Sequence, residues 1–193
     1  MAYVLGFFAA DGNLMRPERG GYYFSLEICD KNIIENIREA MESNHKIGVR
    51  PSRGTYKPRY RLQIGSKEIF EDLKELGFGV NKTMNMCVPN VPDEFFGDFL
   101  RGYFDGDGNV WLGSKLLTAF TSSSRIFLKK LHEKLHILGI QGGSFIDYGT
   151  YYRLSYSTQN SLKIYNIMYN GEYCNMFLSR KKMVYDSFIS MRL

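Results

Sequence analysis

The sequence predicts an α+β fold built from two pseudo-symmetric repeats. Two nine-residue segments, Val4 to Gly12 and Leu100 to Gly108, each run through apolar and small residues into an acid and a glycine. Their alignment places Asp11 on Asp107, 96 residues later, which is about half of the 193-residue chain. The hydrophobic periodicity after each segment also corresponds. Repetition at half-length spacing, together with this shared periodicity, therefore predicts the architecture.

Alternation and helical spacing predict the elements of the first repeat. The residues from Tyr22 to Ile28 alternate between apolar and polar, as in a half-buried strand. Asp30 is the expected N-cap of a helix from Lys31 to Met41, which carries isoleucines at helical spacing. The remaining predicted elements are strands at Lys46 to Ser52 and Arg59 to Ile64, and a helix from Ser66 to Leu76 that stops at Gly77.

The second repeat is predicted in the same order. Strands are expected at Asn109 to Gly113, Leu116 to Thr121, Gly143 to Asp147 and Tyr151 to Ser157, and helices at Ser124 to Leu138, Gln159 to Tyr169 and Leu178 to Met191. Each repeat thus follows an α-β-β-α-β-β-α plan, with one additional helix at the end. The predicted linker, Pro89 to Pro92, divides the chain into residues 1–92 and residues 93–193.

Charge and cysteine content narrow the class of protein. Lys and Arg number 25 against 20 Asp and Glu, and the resulting net charge of +5 favours a phosphate polyanion as partner. The three cysteines have no CxxC spacing, which predicts neither a disulfide framework nor a cysteine zinc site and favours a reducing, intracellular compartment. No basic residue precedes the first apolar stretch and no segment is long enough to cross a membrane, so we expect no membrane partner and no secretion.

The two motif segments carry small residues four positions apart. These pairs are Gly6 with Ala10 and Gly102 with Gly106. Helices with such stripes can approach each other closely, and this approach would bring Asp11 and Asp107 together at their C-terminal ends. Two neighbouring carboxylates in a basic protein predict a divalent cation with oxygen ligands, and Mg²⁺ is the first choice.

Both motifs resemble the LAGLIDADG signature of homing endonucleases, and the segment from Asp98 to Asp105 is similar to the form typical of second repeats. The resemblance covers essentially the whole chain. It implies that the two motif helices pack against each other and that antiparallel sheets form a DNA-binding saddle. The first motif departs from the signature at Ala9, where the family has an acid. The family's metal-binding acid is the penultimate residue, here Asp11 and Asp107, so the departure leaves the predicted metal site in place.

The resemblance implies a monomeric, single-chain enzyme that cuts both strands of a long, weakly palindromic DNA site and leaves 3′ overhangs. Mg²⁺, or else Mn²⁺, would be bound by Asp11 and Asp107 together with the preceding residues Ala10 and Gly106. The cation would activate water and stabilise the charge that develops on the phosphorus and on the leaving oxygen.

Members of this family also place a basic residue near each metal-bound water. Lys82 in the first repeat and Lys181 or Lys182 in the second occupy corresponding places in the sequence. Solvated surface lysines explain these residues about equally well. Asp30 and Ser124, each at a junction between strand and helix, fall where the family has polar residues behind the metal ligands, and N-capping accounts for both as simply.

Polar side chains on the outward faces of the strands predict the DNA-contacting surface. They are Tyr23, Ser25, Glu27, Arg50, Ser52, Arg59, Arg61, Gln63, Arg153, Ser155 and Ser157. Polar residues are ordinary on the outer face of an antiparallel sheet. Four arginines and one glutamine nonetheless favour double-stranded DNA, because arginine reads guanine, glutamine reads adenine and cationic side chains neutralise phosphates.

A zinc peptidase is a rival interpretation, since His132, Glu133 and His136 match the H-E-x-x-H pattern. A catalytic zinc site needs a third protein ligand. The position where the longer pattern expects it is Gly142, and the remaining histidine of the chain is His45. The pattern therefore favours an ordinary amphipathic helix.

Two rival classes of protein keep the same fold. RNA maturases that assist intron splicing and catalytically silent DNA-binding regulators share the architecture. Both motif acids are present, which argues against a purely binding role but not against a maturase, so intron RNA stays open as a partner. An intein-derived endonuclease domain is a third candidate, although neither Met1 nor the final Arg192-Leu193 supplies a splicing residue.

Overall fold

A computed structural model describes residues 1–18, 20–52, 54–55, 57–79, 86–171 and 176–192. Its helices are α1 (Ala2–Asp11), α2 (Lys31–Ala40), α3 (Lys67–Glu75), α4 (Asp93–Asp107), α5 (Arg125–Ile137), α6 (Thr158–Tyr169) and α7 (Ser179–Ser190). Its strands are β1 (Gly12–Met15), β2 (Tyr23–Ile28), β3 (Gly48–Arg50), β4 (Arg59–Gly65), β5 (Gly108–Leu112), β6 (Leu116–Ser122), β7 (Ser144–Asp147) and β8 (Tyr152–Ser157). The chain therefore has the predicted α+β fold, with the α-β-β-α-β-β-α order in both repeats and α7 added to the second.

Each repeat forms one antiparallel sheet with the same strand order. The first sheet runs β1-β2-β4-β3 and the second runs β5-β6-β8-β7. The registers are equivalent, because Leu26 lies opposite Leu62 in the first sheet and Phe120 lies opposite Leu154 in the second. These pairs give a position-by-position correspondence between the two sheets.

Two strands of the first repeat differ from the prediction. The predicted plan includes strand β1 but gives no bounds for it, because its four residues show too little alternation of apolar and polar side chains. The strand predicted from Lys46 to Ser52 is confined to Gly48–Arg50, the three residues that pair with β4. Ser52 consequently lies beyond the end of β3.

The motif helices α1 and α4 pack directly against each other between the two repeats. A Cβ atom built on Gly6 would overlap the backbone of Phe99, and one built on Gly102 would overlap the backbone of Tyr3. Both glycines are therefore required for close packing, as the small-residue stripes predict.

The glycine that ends each motif makes room for an aromatic ring. A Cβ atom at Gly12 would overlap the ring of Phe8, and one at Gly108 would overlap the ring of Phe104. Both rings are fully buried. The chain thus leaves each motif helix directly into the first strand of its sheet, which fixes the acid before the glycine at the helix end. None of the helices in the described ranges is both long and apolar enough to cross a membrane.

Candidate active site

The two motif acids occupy equivalent places at the C-terminal ends of α1 and α4. Asp11 is exposed and Asp107 is half-buried. A Cβ atom built on Gly106 would lie 3.2 Å from Oδ2 of Asp11 and would overlap the side chain of Ala10. The carboxylate of Asp11 therefore lies against the residue that precedes Asp107, and the packing of the helices brings the two acids into one region.

The donor set at these helix ends suits a hard divalent cation. Carboxylate oxygens and the terminal carbonyls of a helix are oxygen ligands, and the helix dipole adds negative potential there. Among the residues that the structure describes, no cluster of three or more His, Cys, Asp or Glu side chains could hold a metal. A divalent cation bound by so few protein groups would take its other ligands from water or from a bound substrate.

A polar pocket of about 350 Å³ opens beside the second motif acid. Its charged and polar lining consists of Asp107, Asn109, Thr121, Tyr151, Arg153, Arg180 and Lys181. Within the described parts of the chain, Arg153 Nε and Thr121 Oγ1 are buried without a hydrogen-bond partner. Three cationic side chains and unpaired donors around a single carboxylate suit a phosphate group that approaches Asp107.

Lys181 is one of the predicted basic residues, and it is only 6% exposed. Its ammonium donates to the backbone carbonyls of Phe104 (2.6 Å), Asp105 (2.8 Å) and Gly108 (2.6 Å). Burial lowers its pKa to about 8, against the attraction of the nearby acids. An ammonium has three donors, so Lys181 ties the end of α4 to the start of β5 around Asp107.

Lys182 points elsewhere. Its ammonium donates to both carboxylate oxygens of Asp186, at 2.8 and 3.0 Å, and it lies 5.6 Å from the ring centroid of Tyr165. The ion pair lies within α7, and the ring contact joins α7 to α6. Of the two neighbouring lysines, Lys181 is the one that contacts the motif helix. The third predicted lysine, Lys82, lies outside the described residues.

The two residues predicted behind the metal ligands have different partners. Asp30, the N-cap position of α2, lies 3.4 Å from the guanidinium of Arg180 and so pairs the first repeat with the second. Ser124 is fully buried; it accepts from Phe127 N at 3.2 Å and donates to the Met86 carbonyl at 2.6 Å. Ser124 is thus an N-cap that also holds the connection between the repeats.

The second motif contains the signature acid that the first motif lacks, and this residue, Asp105, makes buried hydrogen bonds. Asp105 is 1% exposed, and its Oδ2 accepts from Tyr3 Oη and from Leu178 N, both at 2.8 Å. Burial raises its pKa to about 6 despite these hydrogen bonds. The equivalent residue, Ala9, is buried among apolar side chains. Asp105 therefore joins α4 to α1 and to the start of α7, and no corresponding carboxylate is present in the first motif.

The outward face of the first sheet carries the predicted arginines. Glu27 lies 3.2 Å from Arg59 and 3.4 Å from Arg50, and Arg61 Nε donates to Ser25 Oγ at 3.1 Å. Ser25 is only 5% exposed as a result. Tyr23 and Gln63 belong to the same face, because they alternate with the buried residues of β2 and β4.

The outward face of the second sheet carries one arginine. Arg153 lies over the rings of Tyr148 and Tyr151, at 5.3 and 6.0 Å from their centroids, and these rings stack on each other. Ser155 and Ser157 follow on the same face of β8. The registers make Arg153 the equivalent of Arg61 in the first sheet.

One pair of candidate residues was not predicted from the sequence. Asn13 and Asn109 each follow a motif acid by two residues, face outward on β1 and β5, and are exposed. Asn109 lines the pocket beside Asp107. The signal was present, because these asparagines have the same 96-residue spacing as the acids.

Part of the sequence matches a known domain family. The sequence model of the LAGLIDADG-like domain matches residues 95–173. An uncharacterised protein of Methanocaldococcus jannaschii is 27% identical over 186 residues, which cover 86% of this chain and 65% of that protein. The chain thus spans just under two thirds of that relative's length.

Solved structures share the fold over nearly the whole chain. The homing endonuclease I-WcaI bound to its DNA recognition sequence has a TM-score of 0.66 at 16% identity, with 94% of this chain and 83% of that one covered. I-DmoI in complex with DNA and Ca has a TM-score of 0.65 at 15% identity, with 96% of both chains covered. The chain therefore has the two-repeat fold of these homing endonucleases, and its second half matches the LAGLIDADG-like domain.

Proposed function

We propose that this protein is a site-specific endonuclease that hydrolyses both strands of a long DNA duplex with Mg²⁺ and leaves 3′ overhangs. The observation that carries the proposal is the placement of Asp11 and Asp107 at adjoining helix ends, each at the start of a sheet whose outer face is polar. Each repeat, residues 1–92 and 93–193, would hold one scissile phosphate, so a monomer suffices for a double-strand cut.

The side chains and carbonyls around the motif acids have different proposed roles. Asp11 and Asp107, with the carbonyls of Ala10 and Gly106, would hold the divalent cation, which supplies a Lewis acid and a nucleophile active at neutral pH. Arg153, beside Asp107 in the pocket, would hold the phosphate in place.

Lys181 acts as a positioning residue, because its donors already hold carbonyls on both sides of Asp107. Asp30 and Arg180, paired across the repeats, would position α7 beside the same site. Lys82 is the proposed basic residue of the first repeat, as the resemblance implies.

The outward strand residues would contact DNA. A two-stranded ribbon fits the major groove, where arginine and glutamine side chains read base edges. The proposed contacts on the strands are Tyr23, Ser25, Glu27, Arg50, Arg59, Arg61, Gln63, Arg153, Ser155 and Ser157. Ser52, beyond the end of β3, is a further proposed contact. The net charge of +5 supports an anionic partner of this kind.

The proposal is tested by incubating the purified protein with a randomised duplex library in Mg²⁺ or in EDTA and sequencing the ends. We expect ends at one long site, with short 3′ overhangs, in Mg²⁺ only. Ends that persist in EDTA would contradict the metal assignment. Absence of ends, with tight binding to structured intron RNA, would instead identify a maturase.

A further inference from the structure

The two outer sheet faces differ in chemistry at equivalent positions. In the second sheet, Trp111 and Leu117 lie opposite each other on β5 and β6, and Ile146 lies beside Arg153 on β7. Trp111 and Ile146 each expose 40% of their surface. These residues face outward with Asn109 and away from the buried core, so folding does not account for their apolar character.

The first sheet carries arginines at two positions where the second carries tyrosines. The registers make Arg50 the equivalent of Tyr148 and Arg59 the equivalent of Tyr151. The position of Ile146 is occupied by Gly48. At these three positions the first face presents two arginines and a glycine, whereas the second presents aromatic and aliphatic surface. At the positions of Trp111 and Leu117 the first face carries Met15 and Tyr23.

Base edges in the major groove offer a partner for each surface. The 5-methyl of thymine is the apolar group that base edges present there, and guanine presents the two acceptors that arginine binds in a bidentate manner. Because Trp111, Leu117 and Ile146 share their sheet face with Asn109 and Arg153 of the cationic pocket beside Asp107, DNA fits this surface better than a protein partner does.

We propose that the second sheet selects thymines through their 5-methyl groups, using Trp111, Leu117 and Ile146, whereas the first sheet selects guanines with Arg50 and Arg59. The inference rests on the proposed function, in which both sheets face the DNA. It adds that the two half-sites are read by different chemistry, so that one half-site depends on thymine methyl groups.

The test uses the target recovered from the library and the full chain carrying Asp11→Asn and Asp107→Asn, so that binding is measured without cutting. Thymines are replaced by deoxyuridine in one half-site at a time, which removes the methyl group and keeps base pairing. We expect affinity to fall about fourfold for each contacted thymine in one half-site, the value for one buried carbon, and less than twofold in the other. Replacement of guanine by 7-deazaguanine should weaken binding in that other half-site.

Matched variants assign the effect to the second sheet. Trp111→Ser should abolish most of the deoxyuridine penalty, whereas Met15→Ser, at the equivalent position of the first sheet, should leave it unchanged. Ile146→Ser, at an exposed position on an edge strand, provides a second variant in case Trp111→Ser does not fold.

The outcomes separate the two proposals. The thymine inference alone is overturned if the recovered site tolerates deoxyuridine in both half-sites. It is also overturned if the deoxyuridine penalty is the same in the wild type and in the Trp111 and Ile146 variants. Failure of the library to yield any bound or cut duplex overturns the proposed function and this inference with it.

Discussion

Some equivalent positions of the two repeats carry the same residue, whereas others on the outer sheet faces differ. The shared positions include Asp11 with Asp107, Asn13 with Asn109, and Arg61 with Arg153; the divergent ones include Arg50 with Tyr148, Arg59 with Tyr151, and Met15 with Trp111. A reaction that is the same on both DNA strands needs the same groups twice. A target whose halves differ in sequence needs different groups to read them. The comparison therefore separates proposed chemistry from proposed recognition.

The interior of the repeats shows a second difference. Asp105 hydrogen-bonds to Tyr3 and Leu178, whereas Ala9 at the equivalent place is packed among apolar residues. The second motif thus carries a polar network that the first does not, and the network connects α4 to both α1 and α7. The acid that varies between the motifs stabilises the structure, and the acid that repeats is the candidate metal ligand.

The largest expected effect concerns the shared acids. Asp11→Asn and Asp107→Asn should each lower double-strand cleavage on the order of 10³-fold, because each removes a carboxylate from the proposed metal site. Binding to the target, measured in the same buffer, should change little. A rate near wild type for either variant would break the proposed equivalence of the two repeats.

Substitution of the interface glycines tests the shared packing. Gly6→Ala and Gly102→Ala should each lower the free energy of unfolding by about 3 kcal/mol, since the added Cβ meets backbone that cannot turn aside. Gly113→Ala, where a Cβ would meet no atom within 4 Å, is the control and should change stability by less than about 0.5 kcal/mol. Urea denaturation measures all three. Equal stabilities would contradict the close approach of α1 and α4.

Substitutions of the two neighbouring lysines of α7 should change the free energy of unfolding by different amounts. Lys181→Met should lower the free energy of unfolding by about 3 kcal/mol, because three buried carbonyls lose their donor. Lys182→Met should cost at most about 1 kcal/mol, since its ion pair with Asp186 is partly exposed. Thermal denaturation monitored by circular dichroism distinguishes them. Equal losses would contradict the assignment of Lys181 as the residue that holds Asp107 in place.

A pH series tests the buried acid of the second motif. The folded state holds the Asp105 proton up to about pH 6, whereas the unfolded chain releases it near 3.8. The folded state therefore binds more protons between these values, and this contribution to stability is complete below pH 3.8 and lost as the pH rises through 6. The difference between wild type and Asp105→Asn should change by roughly 3 kcal/mol across this window. A constant difference would contradict the raised pKa.

The smallest expected effect concerns the shared arginines. Arg61→Ala and Arg153→Ala should each reduce the salt dependence of DNA binding by about one phosphate contact, with little change in sequence preference. Arg125→Ala, on a helix behind the second sheet, is the matched control and should leave the slope unchanged. A change in base preference for Arg153→Ala would show that this residue reads sequence and would contradict its assignment to phosphate binding.

Much of this arrangement could be predicted from periodicity and repetition. Asp11 and Asp107 could be placed at helix ends because each precedes a glycine, and the stripes of small residues predicted the packing of α1 on α4. The partners of long side chains could not be predicted, since they depend on three-dimensional neighbours. Lys181 and Lys182 are adjacent in sequence but point to different elements, and the pairing of Asp30 with Arg180 spans 150 residues.

Strand-resolved cleavage of the recovered target tests the central claim most directly. Each strand is labelled separately, and the wild type is compared with the Asp11→Asn/Asp107→Asn double variant in Mg²⁺. We predict that the wild type cuts both strands and that the double variant binds the same site and cuts neither. Cleavage of either strand by the double variant would contradict the assignment of these two acids to the active site.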